Sequence, residues 1–179
     1  MEIITGILVL LIVCIVVIKL YLASVGEEKV VPRTGSRTPF QVEEMTGDSI
    51  TLRSKIEFAN EGKQCATIMD AIVRPLLPYE QYDGIEARGK AELEGAPRED
   101  DYFEAVLIQR GESIQIYAEI KLIARKGMDI KTALQHMVDL PMDVVYMETG
   151  RNPWKLSKVR IILTAPELAK LAGVELADD

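Results

Sequence analysis

The stretch "SIQIYAEIKLIAR", residues 113–125, decides the fold. Ile114, Ile116, Ala118, Ile120, Leu122 and Ala124 stand at even positions, while Gln115, Tyr117, Glu119, Lys121 and Arg125 stand at odd ones. On an extended chain this alternation makes one oily and one polar face; a helix scatters the same residues around its circumference. The segment is therefore expected to be a long strand, half buried in a sheet. "RGES" before it, and "YFEAVLIQ" before that, are expected to complete an antiparallel hairpin.

Working outward, "SITLRSKIEF" (49–58) repeats the pattern, with Ile50, Leu52, Ile56 and Phe58 on one face and Ser54 breaking the row. Further strands are expected in "FQVEEM", "QCATIMDAIVRP", "GIEARGKAELE", "MDVVYMETG" and "KVRIILT", with turn chemistry in "NEGK", "YDG" and "TGRNP" between them. A single sheet of about eight such strands leaves its apolar face in water, so two sheets packed face to face are expected, a sandwich rather than a barrel. Two short helices are expected beside it. "DIKTALQHMVDLP" places Ile130, Ala133, Leu134, Met137 and Val138 on one helical face, opens at Asp129 and stops before Pro141. "TAPELAKLAG" carries a capping box from Thr164 to Glu167 and Gly173 to end it.

The chain opens differently. From Ile3 to Ile18 no side chain is charged, and residues 2–25 as a helix reach about 36 Å, enough for a hydrocarbon core of about 30 Å. Lys19 snorkels and Tyr21 is amphipathic, so these two mark the membrane interface. A cleaved signal peptide expects basic residues before the apolar run and small residues at its cut site, and the chain offers Glu2 and a poor Ser24-Val25-Gly26 site. Val13 before Cys14 does not suit a lipoprotein either, so residues 1–25 are expected to stay as a transmembrane anchor. Lys19, Lys29, Arg33 and Arg37 follow the apolar run and no basic side chain precedes it, which favours an outside amino terminus and a cytoplasmic body. Residues 26–39, interrupted by Gly26, Pro32, Gly35 and Pro39, read as a solvated linker, and 40–179 as one sandwich domain.

Within the body, "KIEFANEGKQCATIMDAIVRPLLP" (55–78) runs from a strand into Asn-x-Gly, a tight turn and a second alternating strand. This resembles the B-to-C strand pairing of the immunoglobulin-like sandwiches of membrane-tethered bacterial accessory proteins. The resemblance covers about two dozen residues, comes without the disulfide and core tryptophan of antibody-type domains, and leaves "DIKTALQHMVDLP" as an insertion. It implies an interaction module and carries no site residues with it, because that fold class has no common site.

A formal net charge of −7 argues against a nucleic-acid partner, which needs a concentrated basic face. Cys14 lies in the oily strip and Cys65 in the body, so no intradomain disulfide is expected, and Cys65 reads as a small core residue. His136, the single histidine, shares a polar helix face with Thr132, Gln135 and Asp139 but has no nucleophile beside it. Glu94, Glu99, Asp100, Asp101 and Glu104 cluster without the alternation and central glycine of an EF-hand loop. No catalytic, cofactor or metal role is therefore assigned to any residue.

Two segments are too apolar for ordinary loops. "RPLLPYEQYDG" holds Leu76, Leu77, Tyr79 and Tyr82, and "ETGRNPWKLSK" holds Arg151 and Trp154; each either covers an end of the sandwich or offers partner-binding side chains. For Trp154, the chain's single tryptophan, core burial is the reading favoured by its place at a strand start. The expected role is a non-enzymatic, membrane-anchored module that binds a protein partner as a scaffold or subunit of a membrane assembly. The alternative is a small-ligand or enzymatic pocket between residues 74–84 and 148–155. A third route is recruitment of a partner strand at an open sheet edge.

Overall fold

In the computed structural model, residues 2–99 and 102–177 are described. Helix α1 (Glu2–Val25) is continuous, buries none of its side chains against the body, and is long and apolar enough to cross a membrane. The body follows as β1 (Val30–Arg33), β2 (Gln41–Met45), β3 (Ser49–Asn60), β4 (Ala66–Pro75), β5 (Ile85–Leu93), β6 (Val106–Ile108), β7 (Ser113–Ala124), α2 (Ile130–Leu134), β8 (Leu140–Thr149), β9 (Lys155–Leu163) and α3 (Ala165–Ala172).

The strands form two antiparallel sheets. The first has the order β1-β3-β7-β5, with β2 also paired to β3; the second has the order β6-β4-β8-β9. β3 and β7 lie in full register, Leu52 opposite Ile120 and Ile56 opposite Ile116, so the even residues of both strands point together into the sandwich. Ile50, Leu52, Ile56, Phe58, Ile116, Ile120 and Leu122 are wholly buried. From the second sheet Ile68, Val73, Met142, Val144, Tyr146 and Ile161 meet them, and the Phe58 and Tyr146 rings touch edge to face at 5.1 Å. Ser54 keeps its place in this buried row because its hydroxyl donates to Thr38 O at 2.6 Å.

Three expectations are corrected. Residues 26–39 are not a solvated linker: Val30–Arg33 adds an edge strand to β3, and a 3-10 turn at Thr34–Ser36 follows. Burial of Val30 and Phe40 drives this, and an edge strand tolerates Pro32. The basic side chains of the segment turn to the body, Lys29 to Glu61 at 3.5 Å, Arg33 to Glu57 at 3.3 Å and Arg37 to Glu167 at 3.9 Å.

The hairpin expected from "YFEAVLIQ" and β7 is the second correction, because β6 pairs with β4 in the other sheet. Asn60 causes the divergence. Its buried amide donates to Gln64 O and Ile108 O at 2.7 and 3.1 Å, and its backbone exchanges bonds with Glu112 O and Gly111 N, which pins the crossing between sheets. Third, α2 ends at Leu134 rather than continuing towards Pro141, because Ala177 N takes the Gln135 carbonyl at 2.8 Å. Helix α3 keeps its expected ends, with the Thr164 hydroxyl accepting from Glu167 N and Gly173 left-handed at φ 64°.

Candidate functional site

The two sheets present different outer faces. On the first, Arg53 Nε donates to Glu119 Oε2 at 2.7 Å and Arg53 Nη2 to Glu92 Oε1 at 2.8 Å, with Lys90 3.4 Å from Glu92. Lys55 pairs with Glu94, and the Arg53 guanidinium lies 5.1 Å above the Tyr117 ring. Burial opposes the charge on Arg53, but the hydrogen bond to Glu119 and the charges of Glu119, Glu92 and Glu43 outweigh it and raise its pKa. Cations and carboxylates on this face answer one another.

On the second sheet Ile72, Leu107, Leu156 and Ile162 are 52, 56, 63 and 45 % exposed. The register lines Met69, Met147 and Leu156 into a row across three strands, and Ile72 stands beside Val145. At one end of the face, Arg160 and Lys158 converge on Asp143, with Arg160 Nε to Asp143 Oδ1 at 2.8 Å and Lys158 Nζ to Oδ2 at 2.9 Å. The Arg160 bond first, and the Lys158 bond after it, hold the Asp143 pKa down to about 2. Arg74 lies opposite Asp143 in the register, so a third strand cation stands beside this pairing on a chain that is acidic as a whole. β9 forms the sheet edge on this side.

The residues singled out in the sequence fall as follows. Leu77 packs against the core and Leu76 N extends the β4–β8 ladder to Pro141 O at 3.0 Å, so this loop closes one end of the sandwich. Tyr79 is exposed beneath the Arg125 guanidinium at 4.9 Å, and Tyr82 is half-buried in a cleft of about 280 Å³ with His136 and Met137. Trp154 is 65 % exposed, not core. Cys65 is also exposed, its thiol 2.9 Å from Gln109 Oε1, because it precedes the buried Ala66 by one position and points outward. Lys19 and Tyr21 are exposed on α1.

Among the described residues, segments 74–84 and 148–155 do not adjoin. Pro75 lies opposite Met142 and Thr67 opposite Thr149, so the two segments sit at opposite ends of β8, about 23 Å apart along the strand. A cleft of about 420 Å³ is lined by Lys90, Glu92, Arg98, Phe103 and Glu104, with Lys90 paired to Glu92 and Arg98 to Glu104. Asp139 accepts from Ala165 N at 2.8 Å and so caps α3 rather than orienting His136. Among the described residues no three His, Cys, Asp or Glu side chains come together as metal ligands; Asp100 and Asp101 lie outside the described residues.

At the opposite end from Leu77, the β8–β9 hairpin fastens α1 to the body. α1 has no basic residue in its last turn, and Arg151 supplies one from across the chain: Nη1 donates to Leu22 O at 3.2 Å and Gly26 O at 3.1 Å. Arg151 N and Asn152 N donate to the Glu28 carboxylate at 3.0 and 3.2 Å. Burial alone raises the Glu28 pKa, but the N–H groups of Glu28 itself, Arg151 and Asn152 together bring it below the usual value. A Cβ on Gly150 meets the Glu28 carboxyl at 2.6 Å and Cys65 O at 2.8 Å, so glycine permits this close approach. Gly26, at φ 73°, makes the left-handed exit from the helix.

No family model and no curated protein matches the chain. Among solved structures it is similar to the GAE domain of GGA2p from Saccharomyces cerevisiae, with 10% identity over 78% of this chain and 99% of that one and a TM-score of 0.35. It is also similar to a FixG-related protein from Vibrio parahaemolyticus, with 12% identity over 78% and 94% and a TM-score of 0.36. A yeast GGA1 GAE domain gives 11% identity over 72% and 98% and a TM-score of 0.35.

Proposed function

We propose that this chain is a non-enzymatic, single-pass membrane protein whose β-sandwich, immunoglobulin-like in kind, binds a protein partner as a subunit or scaffold of a membrane assembly. One observation carries the reading: the outer face of β6-β4-β8-β9 exposes Ile72, Leu107 and Leu156 around half-buried Met69, Val145 and Met147, whereas the opposite outer face is closed by its own ion pairs. A patch of this kind on a domain held at a surface favours association, and the anchor raises the effective concentration of partners in the same membrane. Arg74, Lys158 and Arg160 at its end favour a partner whose apolar patch has an acidic rim.

Photocrosslinking in native membranes tests this. A photoreactive side chain at Ile72 is expected to give one protein adduct that survives purification, and the same group at Lys121 none. No adduct at either position, or equal yields at both, overturns the reading. The lysine and arginine bias supports a cytoplasmic body. Exposed Cys65 then escapes a membrane-impermeant maleimide in intact cells and reacts once they are opened; labelling of intact cells reverses the orientation.

A further inference from the structure

We infer that the tip of the β8–β9 hairpin is a second lipid contact, with Trp154 and Arg151 seated in the headgroup layer beside the end of α1. This rests on α1 spanning the bilayer, and it assigns these two side chains to lipid rather than to the protein partner.

Depth comes first. Lys19 and Tyr21 end the apolar stretch, so the hydrocarbon boundary lies near them. Counted from Lys19, Leu22 is about 5 Å farther along the helix axis and Gly26 about 10 Å, so the two carbonyls span much of a headgroup layer that is about 5–8 Å thick on each side. The Arg151 guanidinium, bonded to the carbonyls of both Leu22 and Gly26, is therefore held at the depth of that layer.

The hairpin is not free to swing away from this depth. Glu28 receives two of its backbone N–H groups, Gly150 sits flush against Glu28 and Cys65, and Gln64 Nε2 donates to Val25 O at 3.0 Å from the neighbouring β3–β4 turn. Trp154 follows Arg151 by three residues, and its side chain is 65 % exposed although it is the bulkiest in the chain. An indole is amphipathic and prefers the membrane interface, where its ring meets the upper acyl chains and its N–H meets water or esters.

Charge attraction is not what holds the tip. Lys155 is tied to Glu148 at 2.7 Å, and Arg151 is engaged with the helix carbonyls, so zwitterionic lipid is enough. The contact is interfacial insertion of Trp154, with Arg151 as its positioning residue.

Because Trp154 is the single tryptophan, the unmodified full chain reports on itself. In phosphatidylcholine vesicles made with lipid brominated high on the acyl chain, Trp154 emission is expected to fall by about half relative to unbrominated vesicles, as suits a ring at the headgroup–acyl boundary. Bromine at the chain ends is expected to quench it less. The double variant Trp154→Phe, Tyr21→Trp moves the reporter onto α1 and reads the span alone. Quenching at position 21 with undiminished Trp154 emission overturns the hairpin contact and leaves the span standing. Quenching at neither position overturns the span and the contact together. Blue-shifted Trp154 emission that bromine does not quench places the ring against protein, and also overturns the proposal.

Discussion

The two outer faces of the sandwich are built on the same alternation and end in opposite states. On β3, β7 and β5 the outward residues include Arg53, Lys55, Glu92, Tyr117 and Glu119, and each of these charges has a counter-charge on the same face. On β4, β8 and β9 the outward residues include Ile72, Val145, Met147 and Leu156, with Arg74, Lys158 and Arg160 gathered near Asp143. A half-buried strand needs only one apolar face to fold, so the other is free to serve solubility or contact. Here one sheet takes each task.

The contrast breaks most visibly at Arg53. Arg53→Met leaves Glu119, 18 % exposed, without its cation and Glu92, 8 % exposed, with Lys90 alone at 3.4 Å. It is expected to cost about 2–3 kcal/mol, less than for a fully buried pair because Arg53 keeps contact with water. Denaturant unfolding of the full chain in detergent, followed by circular dichroism, reads this, and adding Glu92→Gln and Glu119→Gln should restore most of it. A loss below about half a kcal/mol for Arg53→Met shows that the ion pairs do not hold that face.

Gly150→Ala comes next. Its methyl has no room against Cys65 O, so overpacking of about 1–3 kcal/mol is expected, seen as faster amide exchange at Arg151 and Asn152 while β3 and β7 keep their protection.

Asp143 sharpens the comparison through pH. Its folded pKa, about 2, lies below the ordinary 3.8, so the stabilisation it gives is complete above pH 4 and fades as pH falls towards 2. Asp143→Asn is expected to flatten that part of the acid unfolding curve and leave the curve above pH 5 parallel to wild type.

The smallest effect on stability belongs to Ile72→Ser, within about 0.5 kcal/mol because the side chain is half in water. Partner crosslinking from a photoreactive group at Leu107 should nevertheless fall sharply in this variant. Equal yield with and without Ile72 removes the residue from the contact.

The inner face was legible because β7 alternates over a dozen residues and β3 does so from Ile50 to Phe58 with Ser54 as its one break, long enough for period two to exclude a helix. The outer apolar face was not. Ile68 and Ile72 share a parity in the sequence, yet Ile68 is buried and Ile72 exposed, because a bulge between Met69 and Ile72, with Asp70 at φ 50°, flips the register midway through β4. β1 escaped notice since four residues containing proline give no period, and only pairing with β3 makes them a strand. The β6–β7 split depended on the reach of one amide, Asn60, to Ile108 O, which lies 48 positions away in sequence. Of the singled-out residues, Leu77 took the core-closing alternative, while exposed Trp154 went against its expectation because it precedes β9 at a hairpin tip rather than lying within the sheet.

Recruitment of β1 into the sheet has a mechanical consequence. A free leash over 26–39 would give the body about 45 Å of slack, whereas the stretch left between α1 and β1, Gly26 to Lys29, extends to about 14 Å even when taut. Glu27 and Lys29 are themselves stitched to the β3–β4 turn. The domain is therefore a knob on a short shaft: it stays within the small radius that this stretch allows around the end of α1, and a rotation of the helix meets little slack before it reaches the body.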